Sequence, residues 1–320
     1  MFETPDLRTL EKLSVETGFI RDTLEKMHRL LAILAEISST PDLEGKLALK
    51  GGTALQSLHL GFRRLSVDID FNYIGSIEKA VMERDRTEIR TALTRLLRQR
   101  GYELEDERPS HAEHTFILAY RNSVGNRDRL KVEVNYLERL PALETVGYRM
   151  RPPFGSQTEI PVNSYRAEEL FAMKSRALLA RATPRDLFDV ALIASRSSGI
   201  DWVLYRKLFI FYTCMSPLDV RDASTDRIAA ITEGDIKRHL VPLLRKGGDR
   251  PDLGDMKSMA ASHLDKLLSF TGEERRFLDI FYRERRFDRT ALFGDMPARP
   301  NLQDHPSIRW RLANLKSART

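Results

Sequence analysis

Several features that define common classes of protein are missing from this chain. It has 320 residues but a single cysteine, Cys214, which has no partner for an internal disulfide or a cysteine zinc site. No segment approaches the roughly 20 consecutive apolar residues of a membrane helix, and the first residues lack the apolar core of a signal peptide. We therefore expect a cytoplasmic protein with no membrane partner, in which Cys214 is buried rather than nucleophilic.

The chain also lacks the short motifs of several enzyme classes. It contains no GxSxG nucleophile elbow, no GxxxxGK[ST] phosphate loop and no HExxH zinc motif. His59, His111 and His114 have no metal-ligand spacing with the lone cysteine, so we expect them to be surface or packing residues.

The net charge of +6 is concentrated at the C-terminal end. Residues 275–320 contain eleven Lys or Arg and five Asp or Glu, so the rest of the chain is neutral overall. A basic segment of this kind suits a polyanion such as RNA, because lysine and arginine displace counterions from phosphates. A solvated helical surface explains the same charges equally well.

The hydrophobic pattern divides the chain into a mixed half and a helical half. In the first half the pattern predicts helices at 6–38, 53–60 and 77–100. Alternation predicts strands at 46–50, 66–73, 102–106, 114–121, 130–137 and 144–150. Beyond about residue 163 the pattern predicts helices at 165–182, 184–197, 201–212, 233–246, 256–269 and 273–288. The fold class is therefore α+β, with a mixed α/β domain at 1–160, a helical domain at 161–320, and a seam marked by prolines near 151–164.

Two aspartates in the strand at 66–73 are the first candidates for chemistry. Asp68 and Asp70 lie two residues apart, so their side chains project from the same face of a strand, opposite Val67, Ile69 and Phe71. Two adjacent carboxylates repel each other, and a divalent cation resolves that repulsion. Taken alone, the same pattern also describes an acidic strand face in water.

The surroundings of the two aspartates strengthen the metal interpretation. Gly51 and Gly52 separate a strand from a short helix, a place where backbone N–H groups bind phosphate. Thr53 is a candidate helix cap or phosphate contact. If the strand at 130–137 pairs with the strand at 66–73, Glu133 becomes a third acid; a contact with Lys131 is the alternative role for Glu133.

Two blocks of sequence together resemble the AbiEii family of toxin nucleotidyltransferases. The first block is Gly-Gly-Thr-Ala-Leu from Gly51, followed by Arg-Leu-Ser-Val-Asp-Ile-Asp-Phe from Arg64. The second is Glu-Leu-Phe-Ala-Met-Lys-Ser-Arg-Ala-Leu-Leu-Ala-Arg from Glu169, followed by Pro-Arg-Asp-Leu-Phe-Asp from Pro184. The resemblance covers about residues 46–195, and its two blocks in the correct order are more specific than the aspartate pair alone.

The resemblance implies a polymerase-β-like nucleotidyltransferase core, a small mixed sheet with helices, followed by an α-helical half that completes the site. It implies Mg²⁺ at Asp68 and Asp70, with Glu133 as a third ligand where relatives in the wider superfamily carry aspartate. The implied catalytic set also includes Lys174, as a phosphate ligand, and Asp189. The implied nucleotide-binding residues are Gly51, Gly52, Thr53, Arg64, Ser66, Lys174 and Arg181.

The second block has a local interpretation of its own. Lys174 and Arg181 are seven residues apart and share one face of a helix, which suits a triphosphate or a solvated surface. Thr183 and Pro184 are typical of a helix start, so Asp186 is expected to be structural. Asp189 lies too far into that helix to cap it, which makes it the better functional candidate.

These residues predict a Mg²⁺-dependent nucleotidyltransferase toxin that moves NMP from an NTP to RNA. By resemblance the leading acceptor is the 3′ end of tRNA, and a cognate antitoxin is a candidate partner. One alternative is an enzyme on the same fold that transfers NMP or phosphate to a protein. The other is a catalytically inactive nucleic-acid-binding module.

Overall fold

The computed structural model describes residues 5–154, 158–196, 199–248 and 252–315. The chain forms two compact units. A sheet unit comprises Met1–Arg139, Thr145–Tyr165 and Val241–Arg250. A helical unit comprises Leu140–Glu144, Arg166–Leu240 and Pro251–Thr320. Each unit takes in segments from distant parts of the sequence.

The N-terminal region contains two helices, α1 (Leu7–Thr17) and α2 (Arg21–Ser38), where the sequence pattern predicted one. That prediction was wrong because Gly18 ends α1 with φ +76°, a backbone conformation that favours glycine. The side chain of Asp6 accepts a hydrogen bond from the Thr9 N–H and begins α1. Eleven residues of α2 are buried, so this helix supplies much of the core of the sheet unit.

A seven-stranded mixed sheet forms the centre of the sheet unit. Along the chain it contains β1 (Leu47–Lys50), β2 (Asp68–Tyr73), β3 (Glu103–Pro109), β4 (Glu113–Arg121), β5 (Arg127–Asn135), β6 (Val146–Met150) and β7 (Ile160–Ser164). The helices α3 (Gly51–Ala54), which continues as a π-helix over Leu55–Leu60, and α4 (Lys79–Gln99) connect the first strands. The strand order is β3-β4-β5-β2-β1-β7-β6, with β2 parallel to β5 and antiparallel to β1. The predicted α+β class is confirmed at this level, and the polymerase-β-like identity of the core stays a prediction.

Strand β7 was not predicted from the sequence. It pairs antiparallel with β6 over its whole length and parallel with β1 at Ser164. The sequence around it was interpreted as a proline-marked seam, whereas Ile160 and Val162 are buried strand residues on either side of Pro161.

The helical unit contains nine α-helices within the described residues. They are α5 (Ala167–Arg181), α6 (Pro184–Ser195), α7 (Trp202–Cys214), α8 (Asp226–Ala229), α9 (Glu233–His239), α10 (Leu253–Leu268), α11 (Gly272–Tyr282), α12 (Arg289–Phe293) and α13 (Pro306–Asn314). The predicted helix at 233–246 was too long: α9 ends at His239, and the following turn belongs to the sheet unit. There the Leu65 N–H donates to the Leu243 carbonyl at 2.9 Å.

Cys214 is fully buried at the end of α7, and burial raises the pKa of its thiol to about 12. The thiolate that would act as a nucleophile is therefore disfavoured, as predicted. None of the described helices combines the length and the apolar character needed to cross a membrane.

Glu169 is a fully buried carboxyl group in the helical unit. It accepts hydrogen bonds from the Ala142 N–H at 2.6 Å, from the Leu143 N–H at 3.2 Å and from the Tyr212 hydroxyl. These bonds tie α5 to α7 and to the short segment Leu140–Glu144. Burial raises the pKa of Glu169 to about 7, although the three donors oppose that rise.

We expect Glu169 to make stability pH-dependent. Because its pKa is raised in the folded state, its protonated form stabilises the fold, and that contribution of roughly 3 kcal/mol is lost as pH rises from about 4.5 to about 7. Urea unfolding at several pH values in this range measures the free energy of unfolding. In Glu169→Gln the slope of that free energy against pH should disappear, even if the amide changes stability by a constant amount at every pH. Glu273→Gln, at an exposed site on α11, should keep the slope; an unchanged slope in Glu169→Gln would contradict the assignment.

Candidate active site

Three neighbouring strands place charged side chains on one face of the sheet. Strand β2 lies between β1 and β5, and Asp70 is paired with Lys50 of β1 and with Glu133 of β5. Asp68 projects from the same face because it is two residues from Asp70. Both aspartates are half-buried, while Ile69 between them is fully buried. Strands β2 and β5 do pair, which was the condition for Glu133 to be a third acid, and the pairing brings the three acids onto one face.

Lys131 lies among these acids. Its Nζ is 3.1 Å from Oε2 of Glu133 and 3.9 Å from Oδ1 of Asp70. Burial works to lower the pKa of Lys131, but the carboxylates of Asp70, Glu133 and Asp68 outweigh burial and raise it. Burial raises the pKa of Asp70, Lys131 lowers it and Asp68 raises it further, with a net increase. The contact of Glu133 with Lys131 is the alternative that the sequence left open.

Two further carboxylates extend the acidic region. Burial, and then the charge of Glu133, raise the pKa of Glu113 on β4. Oε2 of Glu138 lies 3.9 Å from Nζ of Lys50. Together with the three acids of β2 and β5, these residues outnumber the two lysines, and such an excess of negative charge favours a bound cation.

The protein alone does not supply a complete metal cage in the region described. Over residues 5–154, 158–196, 199–248 and 252–315, no group of three or more His, Cys, Asp or Glu side chains is placed to hold a metal ion. Within these residues a cation would therefore have at most two such protein ligands at once, and Asp68 and Asp70 remain the predicted pair. Two carboxylates are a usual protein contribution to Mg²⁺ when substrate phosphates complete the coordination.

The turn from β1 into α3 lies against the aspartates. Gly51 has φ +71°, and a Cβ atom at this position would lie 2.2 Å from Oδ2 of Asp70. At Gly52 a Cβ atom would lie 2.9 Å from Oγ of Ser66 and 3.0 Å from Nη2 of Arg64. Both glycines are needed for this close approach, which brings five of the predicted site residues together.

Thr53 and Arg64 stabilise this arrangement through hydrogen bonds to the backbone. The Thr53 hydroxyl donates to the carbonyl of Asp68 at 2.5 Å and so links α3 to β2. The expectation that Thr53 caps the helix was wrong, because the N-cap position is Lys50. Arg64 is buried, and its Nη1 donates to the carbonyl of Leu65 at 2.9 Å.

The remaining predicted residues form an ion-pair cluster in the helical unit. Lys174 of α5 is buried, and its Nζ lies 3.1 Å from Oδ1 of Asp186 and 3.0 Å from Oδ2 of Asp189. Both acids come from α6 and are 1% or less exposed. Lys174 is thus a positive charge whose position is fixed by two buried carboxylates.

Asp186 has the structural role that the sequence predicted. Thr183 is the N-cap of α6, and its hydroxyl donates to Oδ2 of Asp186 at 2.7 Å. Arg181 donates to the same oxygen at 2.6 Å. Burial works to raise the pKa of Asp186, but Lys174 and Arg181 outweigh it and lower the pKa. Lys174 and Arg181 therefore share a helix face, as predicted, and share a carboxylate as well.

The histidines pack as expected from the sequence. His114 is buried, stacks on Phe116 with ring centroids 4.4 Å apart, and has Nε2 2.6 Å from Oε1 of Glu107. The ring of His59 meets Tyr148 edge to face at 5.5 Å. His111 is exposed.

Comparison with known families identifies the chain. The family described as "Nucleotidyl transferase AbiEii toxin, Type IV TA system" matches residues 32–288. The chain belongs to the AbiEii family. Both sequence blocks, the aspartate face and the Lys174 cluster lie inside the matched region, so the predicted family and enzyme class, a nucleotidyltransferase toxin, are confirmed.

One solved structure has the same fold as this AbiEii chain. The chain is similar to MenT4, a nucleotidyltransferase toxin from Mycobacterium tuberculosis H37Rv, with 19% identity, a TM-score of 0.60, and coverage of 97% of this chain and 99% of that one. A chain from a complex of Escherichia coli MS115-1 CdnC with HORMA-deltaN has 13% identity and a TM-score of 0.26 over 92% of this chain and 99% of that one, too low to support an argument. No curated protein matches the sequence. Membership of a type IV toxin–antitoxin family implies a cognate antitoxin.

Gly51 provides a test of the close approach to Asp70. Gly51→Ala should cost about 1–2 kcal/mol of stability from its left-handed backbone, and should also displace the Asp70 carboxylate and reduce nucleotidyl transfer. Gly45→Ala is the matched control, because Gly45 has φ +69° and a Cβ atom there would have no neighbour within 4 Å. Equal transfer rates for the two folded variants would contradict the assignment.

Lys174 and Arg181 both pair with Asp186, one buried and the other exposed. Variants of the two residues therefore test whether the buried pair contributes more to stability. Lys174→Met removes the buried ammonium that two buried acids share and should lower the free energy of unfolding by about 3–5 kcal/mol. Arg181→Ala, whose side chain is 63% exposed, should cost about 1 kcal/mol or less. Chemical denaturation at pH 7 measures both changes. A loss for Lys174→Met no larger than that for Arg181→Ala would refute a structural role for the buried ammonium.

Proposed function

We propose that the chain transfers NMP from an NTP to an RNA acceptor, with the 3′ end of tRNA as the leading acceptor. The observation that supports this proposal best is the pair of half-buried aspartates beside the Gly51–Gly52 turn. In the reaction an acceptor hydroxyl forms a bond to the α-phosphorus while the bond to the leaving pyrophosphate breaks.

Asp68 and Asp70 would hold Mg²⁺. The oxygen donors and the excess of carboxylates on this face suit a hard cation. When bound, Mg²⁺ would supply charge neutralisation for the triphosphate and the leaving pyrophosphate. Glu133 stays a candidate third ligand. To bind the cation, its carboxylate would have to give up its contact with Lys131.

The other predicted residues would bind the nucleotide. Gly51, Gly52 and Ser66 would line the triphosphate pocket, where a glycine backbone allows phosphates to approach closely. Thr53 and Arg64 would hold that turn in position. In the helical unit, Lys174 and Arg181 would contribute positive charge for phosphates, with Asp189 orienting Lys174.

The basic C-terminal segment is a proposed surface for RNA. Arg276, Arg283 and Arg285 are exposed, whereas Arg299 pairs with Glu144 and so has a structural contact as well. Residues 316–320 of this segment lie outside the described residues. We expect the protein to act in the cytoplasm as the toxin of a toxin–antitoxin or phage-defence pair, inhibiting growth or translation.

Asp70→Asn tests the catalytic assignment. With an α-phosphate-labelled NTP, total tRNA and Mg²⁺, we expect transfer to fall by about 10²–10³-fold, because the amide cannot replace the carboxylate at the cation. Chelation of Mg²⁺ should abolish transfer by the wild type, and added Mg²⁺ should restore it. Asp106→Asn is the matched control, since Asp106 lies on β3 of the same sheet and pairs at the surface with Arg108.

The acceptor is identified in the same assay. Periodate oxidation of the tRNA destroys its terminal 2′,3′-diol, so label uptake should disappear if the 3′ end is the acceptor. Label in protein instead of RNA would favour the protein-modifying alternative. Unchanged transfer in Asp70→Asn, with thermal unfolding like that of the wild type, would rule out the proposed catalytic site.

A further inference from the structure

The helical unit contains an aromatic pocket that is distinct from the Lys174 cluster. Its volume is about 300 Å³, within the size range of small-ligand sites, and it lies at the end of α6 between α7 and α10. Ile193, Ile200 and Trp202 form its apolar walls, and Tyr205 and His263 form its polar aromatic wall.

Hydrogen bonds fix the aromatic wall. The Tyr205 hydroxyl lies 2.6 Å from Oγ of Ser175 and 2.7 Å from Nε2 of His263. The Tyr205 and His263 rings stack at 5.6 Å with an angle of 29°. Ser175 and Tyr205 are fully buried, and burial lowers the pKa of His263 to about 4, so the imidazole is neutral at pH 7. The wall is therefore rigid and uncharged before any ligand binds.

Trp202 gives this wall an exposed edge. Its indole meets Tyr205 and His263 edge to face, each at 5.4 Å between centroids, yet 37% of the residue is exposed. Asp201 is the N-cap of α7, and it fixes the position of Trp202 at the first turn. A large aromatic side chain that is held rigidly and left exposed beside a pocket is suited to stacking on a flat ligand.

The charge at the pocket selects the kind of ligand. Arg196 and Lys266 line the pocket and are exposed, and none of the described residues that line it is acidic. Cations at the rim with an aromatic interior match a nucleobase that carries a phosphate. A base in a duplex is stacked and paired, so only an unpaired nucleotide can enter.

We infer that this pocket binds one unpaired nucleotide of the RNA acceptor, with its base against Trp202 and a phosphate near Arg196 and Lys266. The inference rests on the proposed RNA acceptor and adds a positioning site for it. Trp202 is thus a positioning residue, separate from the residues assigned to catalysis.

Intrinsic fluorescence tests binding directly, because the chain has only two tryptophans, Trp202 and Trp310. In Trp310→Phe, the emission reports Trp202 alone. We expect a single-stranded RNA tetranucleotide to quench it saturably and more weakly at higher salt. A blunt-ended RNA duplex, which has no unpaired base, and inorganic phosphate, which has no base, should quench it far less. Quenching by the NTP but not by the tetranucleotide would overturn the inference in favour of a free-nucleotide site.

Kinetics test the consequence for transfer. Trp202→Ala should raise KM for the RNA by about 5–150-fold, with kcat and KM for the NTP unchanged, and Trp202→Phe should restore much of the loss. Met259→Ala is the control, because Met259 is an exposed apolar residue of α10 that lines neither the pocket nor the basic C-terminal segment. Lys266→Ala, at an exposed site, should raise KM for the RNA without affecting folding, even if Trp202→Ala fails to fold.

The two proposals fail in different ways. An unchanged KM for RNA in folded Trp202→Ala and Lys266→Ala, with an active wild type, would overturn the pocket and leave the proposed function intact. Loss of antitoxin binding in these variants, with RNA binding retained, would also overturn it and assign the pocket to a protein partner. Absence of transfer to any RNA by the wild type would refute the proposed function. The fluorescence titration would then still show whether the pocket binds RNA.

Discussion

The register of β2 between β1 and β5 is the constraint on which the candidate active site depends. A shift of one residue would turn Asp68 and Asp70 to the opposite face and bring Ile69 out of the core. Ile69 is fully buried and Phe71 is 3% exposed, so hydrophobic burial fixes this register. The same burial holds the aspartates side by side, an arrangement that their own repulsion would oppose.

The parts of the site that follow from local periodicity could be predicted from the sequence. Alternation along β2 places Asp68 and Asp70 on one face of that strand, and alternation along β5 places Glu133 on its polar face, because side chains in a strand repeat every two residues. Thr183 and Pro184 define the start of α6 because they supply the cap and the φ angle of its first turn. Each of these features depends on a few neighbouring residues.

The parts that depend on distant contacts could not be predicted in this way. A proline such as Pro161 normally indicates that a segment is not a strand. Strand β7 nevertheless pairs with β1, and it does so at Ser164, away from Pro161. The missing N–H of Pro161 therefore costs no hydrogen bond between these two strands. The turn at Val241–Leu243 joins the sheet unit through the bond from Leu65 to Leu243, which no local pattern indicates. Lys131 was noted as a neighbour of Glu133, but its approach to Asp70 requires the pairing of two strands.

The pKa of a carboxyl group shifts in opposite directions in the two charged clusters. Around Asp186, Lys174 and Arg181 outweigh the effect of burial, so the pKa of Asp186 falls and the cluster is balanced by its own residues. Around Asp70, burial and Asp68 raise the pKa by more than Lys131 and Lys50 lower it, so the charged form of Asp70 is disfavoured. A balanced cluster fixes a lysine in place, whereas a carboxylate whose charged form is disfavoured gains most from a cation that arrives with the substrate. This difference supports the proposal of a metal at β2 and of a fixed positive charge on α5.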